Sequence, residues 1–271
     1  MDFFNALLTY PFLQNAVVAA FLAAISCGIS GTFVYVNRIT FIAGGIAHAV
    51  LGGVGAAVFL GFSPFAGALV TALLFAVVLG IIKLKATQHE DTVVGALWAF
   101  GMSIGIIFIY LTPGYSVNLN SYLFGNILLV SRQDIIALSV LAALVVATVL
   151  IFYRQFKSVS FDPENAALHG IFVSFIYILM LAIIALTVVV LMKVVGLILV
   201  IAFLTLPAAT AAVFQKRVSG IIFLSTLLSF LFSFSGLAVS YKTNLPTGAV
   251  ITVVASVVYI AALLIGKALR L

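Results

Sequence analysis

Nine apolar runs of roughly 18–22 residues follow one another along the chain, near residues 16–36, 41–60, 65–82, 93–111, 134–153, 171–192, 195–214, 219–240 and 248–266. At 1.5 Å rise per residue, about 20 such residues are what a helix needs to cross a bilayer's ~30 Å hydrocarbon core. The period-2 alternation of a membrane β-barrel is absent. Only 7% of the 271 residues are charged, against about 25% in a soluble domain, so a soluble globule of this size is excluded. The stretches between runs are too short for a separate catalytic domain. The expected fold is therefore all-α, a polytopic transmembrane bundle of eight or nine spans forming a single domain over residues 1–271. Residues 1–15 lack a basic leader and a small-residue cleavage site. They read as an interfacial segment, with Phe3, Phe4, Tyr10 and Phe12 suited to the headgroup boundary.

Basic residues set the expected orientation. With the N-terminus outside, Arg38, Lys83, Lys85, Arg154, Lys157, Lys216, Arg217, Lys267 and Arg270 fall inside, and Arg132, Lys193 and Lys242 outside. That split follows the positive-inside rule and predicts a cytoplasmic C-terminus. It also accounts for the net charge of +6 without nucleic acid as a partner. Two places test the layout. The turn at Lys193–Val195 is very tight, and the glycine-rich stretch Gly44–Gly55 either spans or re-enters.

Several chemistries are excluded by what is missing. All six acidic residues, Asp2, Glu90, Asp91, Asp134, Asp162 and Glu164, lie at or outside span ends. Ion-coupled carriers ordinarily bury a titratable group in the membrane, and a magnesium-dependent prenyltransferase needs clustered carboxylates. No phosphate-binding loop of the G-x-x-x-x-G-K-[ST] type occurs, so any ATP that drives this protein binds a separate subunit. The single cysteine, Cys27, allows neither an intramolecular disulfide nor a thiolate zinc cluster.

One polar residue lies deep in an apolar run: His48. Imidazole is the commonest transition-metal ligand, yet an intramembrane histidine also packs against a neighbouring helix carbonyl. One histidine cannot make a tight four-ligand site. A transient site completed by water, a carbonyl or a second copy of the chain suits a conduit, which must let its cargo leave. The glycines around it, Gly44, Gly45, Gly52, Gly53 and Gly55, read as close helix packing or as the lining of a pathway. Cys27, Met102, Met180 and Met192 read as packing groups. His89 and His169 fall in connections and read as solvated.

The longest inside connection, Arg154–Gly170, carries a helix signal. Asp162 is a cap, Pro163 fits the first helical position, Glu164 favours the positive dipole end, Ala166 continues the turn, and Gly170 can end it. Such a surface helix over residues 158–170 is either a plain connector or an element that docks into a partner's groove.

Five stretches in order resemble one family, the permeases of metal-type ABC importers serving zinc, manganese and iron uptake. His48-Ala49-Val50-Leu51-Gly52-Gly53-Val54 resembles their H-A-V-L-P-G-V, and Glu90-Asp91-Thr92-Val93-Val94-Gly95 their acidic-Thr-Gly entry to a middle span. Phe161-Asp162-Pro163-Glu164 with Ala166 and Gly170 is similar to their coupling helix. Val194-Val195-Gly196 through Leu206-Pro207-Ala208-Ala209-Thr210-Ala211 is similar to V-V-G…L-P-A-A-T-A, and Leu245-Pro246-Thr247-Gly248 to L-P-[ST]-G. The resemblance runs from about residue 16 to 266 and implies a permease subunit in a bacterial cytoplasmic membrane. It implies a homodimer, an ABC ATPase subunit meeting the coupling helix, and an extracytoplasmic metal-binding protein. It also implies a divalent metal ion as cargo rather than a resident cofactor, and a pathway near His48 and Pro207. Three departures stand out: Ala47 for Ser, Gly52 for Pro, and Asn244 where an acid is common. A permease for a chelated metal or vitamin, a stand-alone carrier and a structural membrane protein are the alternatives.

Overall fold

The computed structural model describes residues 3–85, 90–112, 125 and 127–268. Asp2, His89, Arg270 and most of the stretch from Pro113 to Arg132 lie outside the described residues. The described residues form α1 (Phe3–Thr9), α2 (Pro11–Val36), α3 (Thr40–Phe59), α4 (Pro64–Lys85), α5 (Glu90–Leu111), a 3-10 turn (Ile127–Leu129), α6 (Arg132–Phe161), α7 (Pro163–Leu168), α8 (Val173–Val195), α9 (Leu197–Phe214), α10 (Val218–Thr243) and α11 (Thr247–Ala268), with no strand among them. Eight of these, α2 to α6, α8, α10 and α11, are long and apolar enough to cross a membrane. The ninth, α9, has 18 residues, about 27 Å of helix, which is short for the hydrocarbon core.

Helix ends differ from the sequence expectation in three places. First, α3 runs unbroken through Gly44–Gly55, so this stretch does not re-enter. Second, α6 continues past residue 153 to Phe161. Its 30 residues make about 45 Å of helix, and the non-helical dihedrals of Phe152 (φ −105°, ψ 15°) mark the place where the apolar run gives way to Arg154 and Lys157. Third, the tight turn lies one residue later than expected. Helix α8 holds through Val195, and α9 begins at Leu197 after Gly196 alone, whose φ of +82° is open to a residue without a Cβ.

The chain divides into two compact units. In the first, made of Met1–Val36, Asn120–Ile151 and Val190–Leu271, α2 packs along α9 and α10, and α11 packs on both of those. The Phe3 ring of α1 meets Phe234 and Tyr241 edge-on, at 5.7 and 5.9 Å between centroids, while Phe4, Tyr10 and Phe12 stay exposed. A capping box opens α6. The Ser131 hydroxyl and amide donate to Asp134 Oδ2 at 2.6 and 3.0 Å, and the Asp134 amide donates back to Ser131 Oγ at 3.2 Å. Lys193 Nζ lies 2.6 Å from Asp134 Oδ1, tying the start of α6 to the end of α8.

The second unit comprises Asn37–Leu119 and Phe152–Val189. Here α3 is the central helix, packed on one side by α4 and on another by α5. The Asn37 side-chain Nδ2 donates to Ser160 Oγ at 2.9 Å, joining the entry of α3 to the last turn of α6.

Candidate functional site

Two stripes meet along α3 and α5. Positions 45, 48, 52 and 55 of α3 recur every three or four residues, and so do 94, 98, 101 and 105 of α5, so each set forms one face of its helix. A Cβ built on Gly52 would lie 2.7 Å from the Gly101 carbonyl oxygen, and one on Gly101 would lie 2.7 Å from Ala49 Cα. Gly55 and Gly105 are equally close backbone to backbone. Contacts advance together along both helices, so α3 and α5 run parallel, and α4, which links them in the chain, runs antiparallel on another face of α3. Gly53 faces Gly67 and Thr71 of α4. Gly45, Gly52 and Gly53 thus sit where small residues let membrane helices approach. Gly44 differs: a Cβ there meets nothing within 4 Å. It lies one turn before His48, on a face with room.

At this seam His48 stacks on Trp98, with ring centroids 4.3 Å apart and planes 18° from parallel. The indole is held in turn, its Nε1–H donating to Met102 Sδ at 3.0 Å and its ring lying 5.8 Å from that of Phe41. Nδ1 of His48 is buried and has no hydrogen-bond partner among the described residues. A polar atom left so costs about 1–3 kcal/mol, and each such group calls for an explanation. Among the described residues no helix carbonyl bonds to this nitrogen. Among the described residues no three His, Cys, Asp or Glu gather into a resident metal site. Trp98 was not singled out from the sequence. The available signal was the matched spacing of the two stripes.

The helix signal after α6 forms as its residues dictate. Asp162 Oδ1 accepts from the Asn165 amide at 2.9 Å, and Pro163 takes the first helical position of α7. At the other end the Gly170 amide donates to Ala167 O at 3.0 Å and the Ile171 amide to Ala166 O at 3.1 Å, with Gly170 at φ +77°. That is a complete Schellman stop. His169 is exposed, its Nδ1 2.9 Å from Asn165 O. Ala166 turns inward and is buried, whereas Phe161 and Leu168 are 62% and 86% exposed, with Glu164 exposed between them. An open groove of about 520 Å³ separates α7 from the extension of α6, lined by Arg154, Lys157, Asp162, Asn165 and His169.

The remaining predicted residues are spread out. Pro207 lies buried inside α9 and cannot donate to the Phe203 carbonyl. Asn244 ends α10 in the left-handed region (φ 54°, ψ 28°), a conformation that asparagine tolerates, and lines an open groove of about 730 Å³. Cys27, Met180 and Met192 are buried packing groups.

Eight membrane-length apolar helices among the described residues define a multi-pass membrane protein. Residues 9–266 match the ABC 3 transport family, and the chain belongs to it. It is 38% identical over 263 residues to a probable metal transport system membrane protein of Chlamydia trachomatis, covering 95% of this chain and 90% of that one. It is 34% identical over 257 residues to the manganese transport system membrane protein MntC of Halalkalibacterium halodurans, covering 95% and 88%. The structure of PsaBC from Streptococcus pneumoniae in complex with Fab superposes with a TM-score of 0.85 at 33% identity, over 96% of this chain and 94% of that one.

Proposed function

We propose that this chain is the membrane permease of an ATP-driven importer of divalent transition-metal ions (manganese, zinc or iron), acting as a homodimer in a bacterial cytoplasmic membrane. The observation that carries the reading is the unpartnered His48 imidazole inside a family otherwise devoted to transport. The names of the metal and manganese transport relatives favour the same cargo class. One imidazole with water, a carbonyl or the second copy completing the shell binds weakly enough for a metal to move on. In this reading the N-terminus is outside and the C-terminus cytoplasmic. An extracytoplasmic metal-binding protein delivers the ion. A separate ABC ATPase subunit engages α7 through Phe161, Glu164 and Leu168. Because both ends of α7 are fixed by local hydrogen bonds, a push on it is passed to α6 and α8 instead of being absorbed.

The test is metal uptake into proteoliposomes, with zinc and manganese in parallel, with and without the ATPase and the binding protein. Uptake that requires ATP and both partners is the expected result. His48→Ala should abolish it while ATPase docking persists. Asp162→Ala or Glu164→Arg should leave membrane insertion intact and uncouple ATP hydrolysis from uptake. Uptake by the permease alone would make it a carrier, and the proposal would fail.

A further inference from the structure

We infer that Trp98 is a positioning residue for His48: its indole face fixes the imidazole ring and shares the positive charge that a passing metal ion brings to it. The inference rests on the transport reading of His48 and deepens it. A histidine that ligates a metal ordinarily has its ring set by its second nitrogen, which donates to a carboxylate, a backbone carbonyl or water. No such bond to His48 exists among the described residues, and Nδ1 is buried without a partner. What fixes the ring instead is the stack on Trp98, 4.3 Å between centroids and 18° from parallel. Orientation by a ring face ties up neither nitrogen in a hydrogen bond.

The indole is fit for that role. Its Nε1–H is tied to Met102 Sδ at 3.0 Å, and it is carried on a helix whose distance from α3 is set by backbone contact at Gly101 and Gly105. The stack therefore belongs to a rigid seam, not to a loop. Tryptophan is also the aromatic side chain that best stabilises a positive charge over its face, so a metal-bound imidazole gains more from Trp98 than a neutral one does. The chain has a single tryptophan. Its emission consequently reports on the surroundings of that one indole, the His48 ring among them.

The experiment uses the full-length chain in nanodiscs, titrated with zinc chloride and with manganese chloride, alongside uptake by the complete transporter. Wild-type tryptophan emission should change on metal addition, and His48→Ala should remove the change. By equilibrium dialysis with radioactive metal, Trp98→Leu should weaken binding about tenfold, the scale of losing an orienting partner. Trp98→Phe keeps a ring face and should recover most of that loss. Uptake per ATP should fall in Trp98→Leu while ATPase docking is unchanged. Wild-type affinity and uptake in Trp98→Leu, beside a dead His48→Ala, would overturn this inference and leave the transport reading standing. Emission blind to metal in the wild type would also overturn it. Normal transport by His48→Ala would remove both.

Discussion

The two units contain contrasting helix seams. Between α2 and α10 the polar groups are hydroxyls, and most turn back onto their own helices. Ser26 donates to Leu22 O at 3.2 Å, Thr32 to Gly28 O at 2.7 Å and Ser233 to Ser229 O at 2.8 Å, all with buried side chains. Ser225 and Ser229 are buried without a partner as placed, but a serine hydroxyl in a helix has the carbonyl four residues back within one rotation. Between α3 and α5 the backbones are brought together by glycines on both helices, and the polar group is an imidazole whose Nδ1 makes no hydrogen bond among the described residues. The lesson is about which buried polar groups carry function. Hydroxyls that can satisfy themselves are compatible with packing alone. An imidazole nitrogen left unpartnered inside a seam closed by backbone contact is the group to test for a role in transport.

The largest effect should come from breaking the glycine seam. Gly52→Leu places a branched side chain where a Cβ alone would lie 2.7 Å from the Gly101 carbonyl oxygen, and backbone cannot swing aside as a side chain does. A loss of about 3 kcal/mol or more is expected, read as a collapse of thermal stability in detergent. Next is Gly45→Ala, whose Cβ would meet Val94 Cγ1 at 2.7 Å. That is the end of a side chain, so the cost should be about 1 kcal/mol, and retained transport would confirm that the ring positions survive. In the hydroxyl seam, Ser225→Ala with Ser229→Ala should change stability by about 0.6 kcal/mol or less per site and leave uptake at the wild-type level. Lost uptake there would erase the contrast between the seams. The smallest effect on stability belongs to Gly44→Ala, which meets nothing within 4 Å and should leave the melting temperature unmoved. Altered metal uptake in that stable variant would place Gly44 on the pathway beside His48.

Much of this was legible in the residues. Nine apolar runs became nine helices because a backbone in hydrocarbon must satisfy its own hydrogen bonds, which a helix does locally. The α7 helix was legible for the same kind of reason. Its cap, proline and terminal glycine act within four residues of the groups they satisfy. The end of α6 was misplaced, because helix propensity and apolarity part company after Phe152: Arg154, Gln155 and Lys157 are good helix formers that leave the hydrocarbon without leaving the helix. The role of the glycines was only half legible. Spacing suggested packing or a pathway, and only the neighbours place Gly45, Gly52 and Gly53 against other helices while leaving Gly44 facing open space.

By itself, then, the sequence determined the class of protein, the helix order and the capped helix, since each follows from interactions along one segment or between one segment and lipid. The tertiary structure alone decided that His48 lies against Trp98, that its Nδ1 has no partner among the described residues, and that Gly101 and Gly105 hold the two helices at that distance. Some fifty residues of sequence separate those rings. What joins them is the fit of one helix face to another, and no local propensity encodes that.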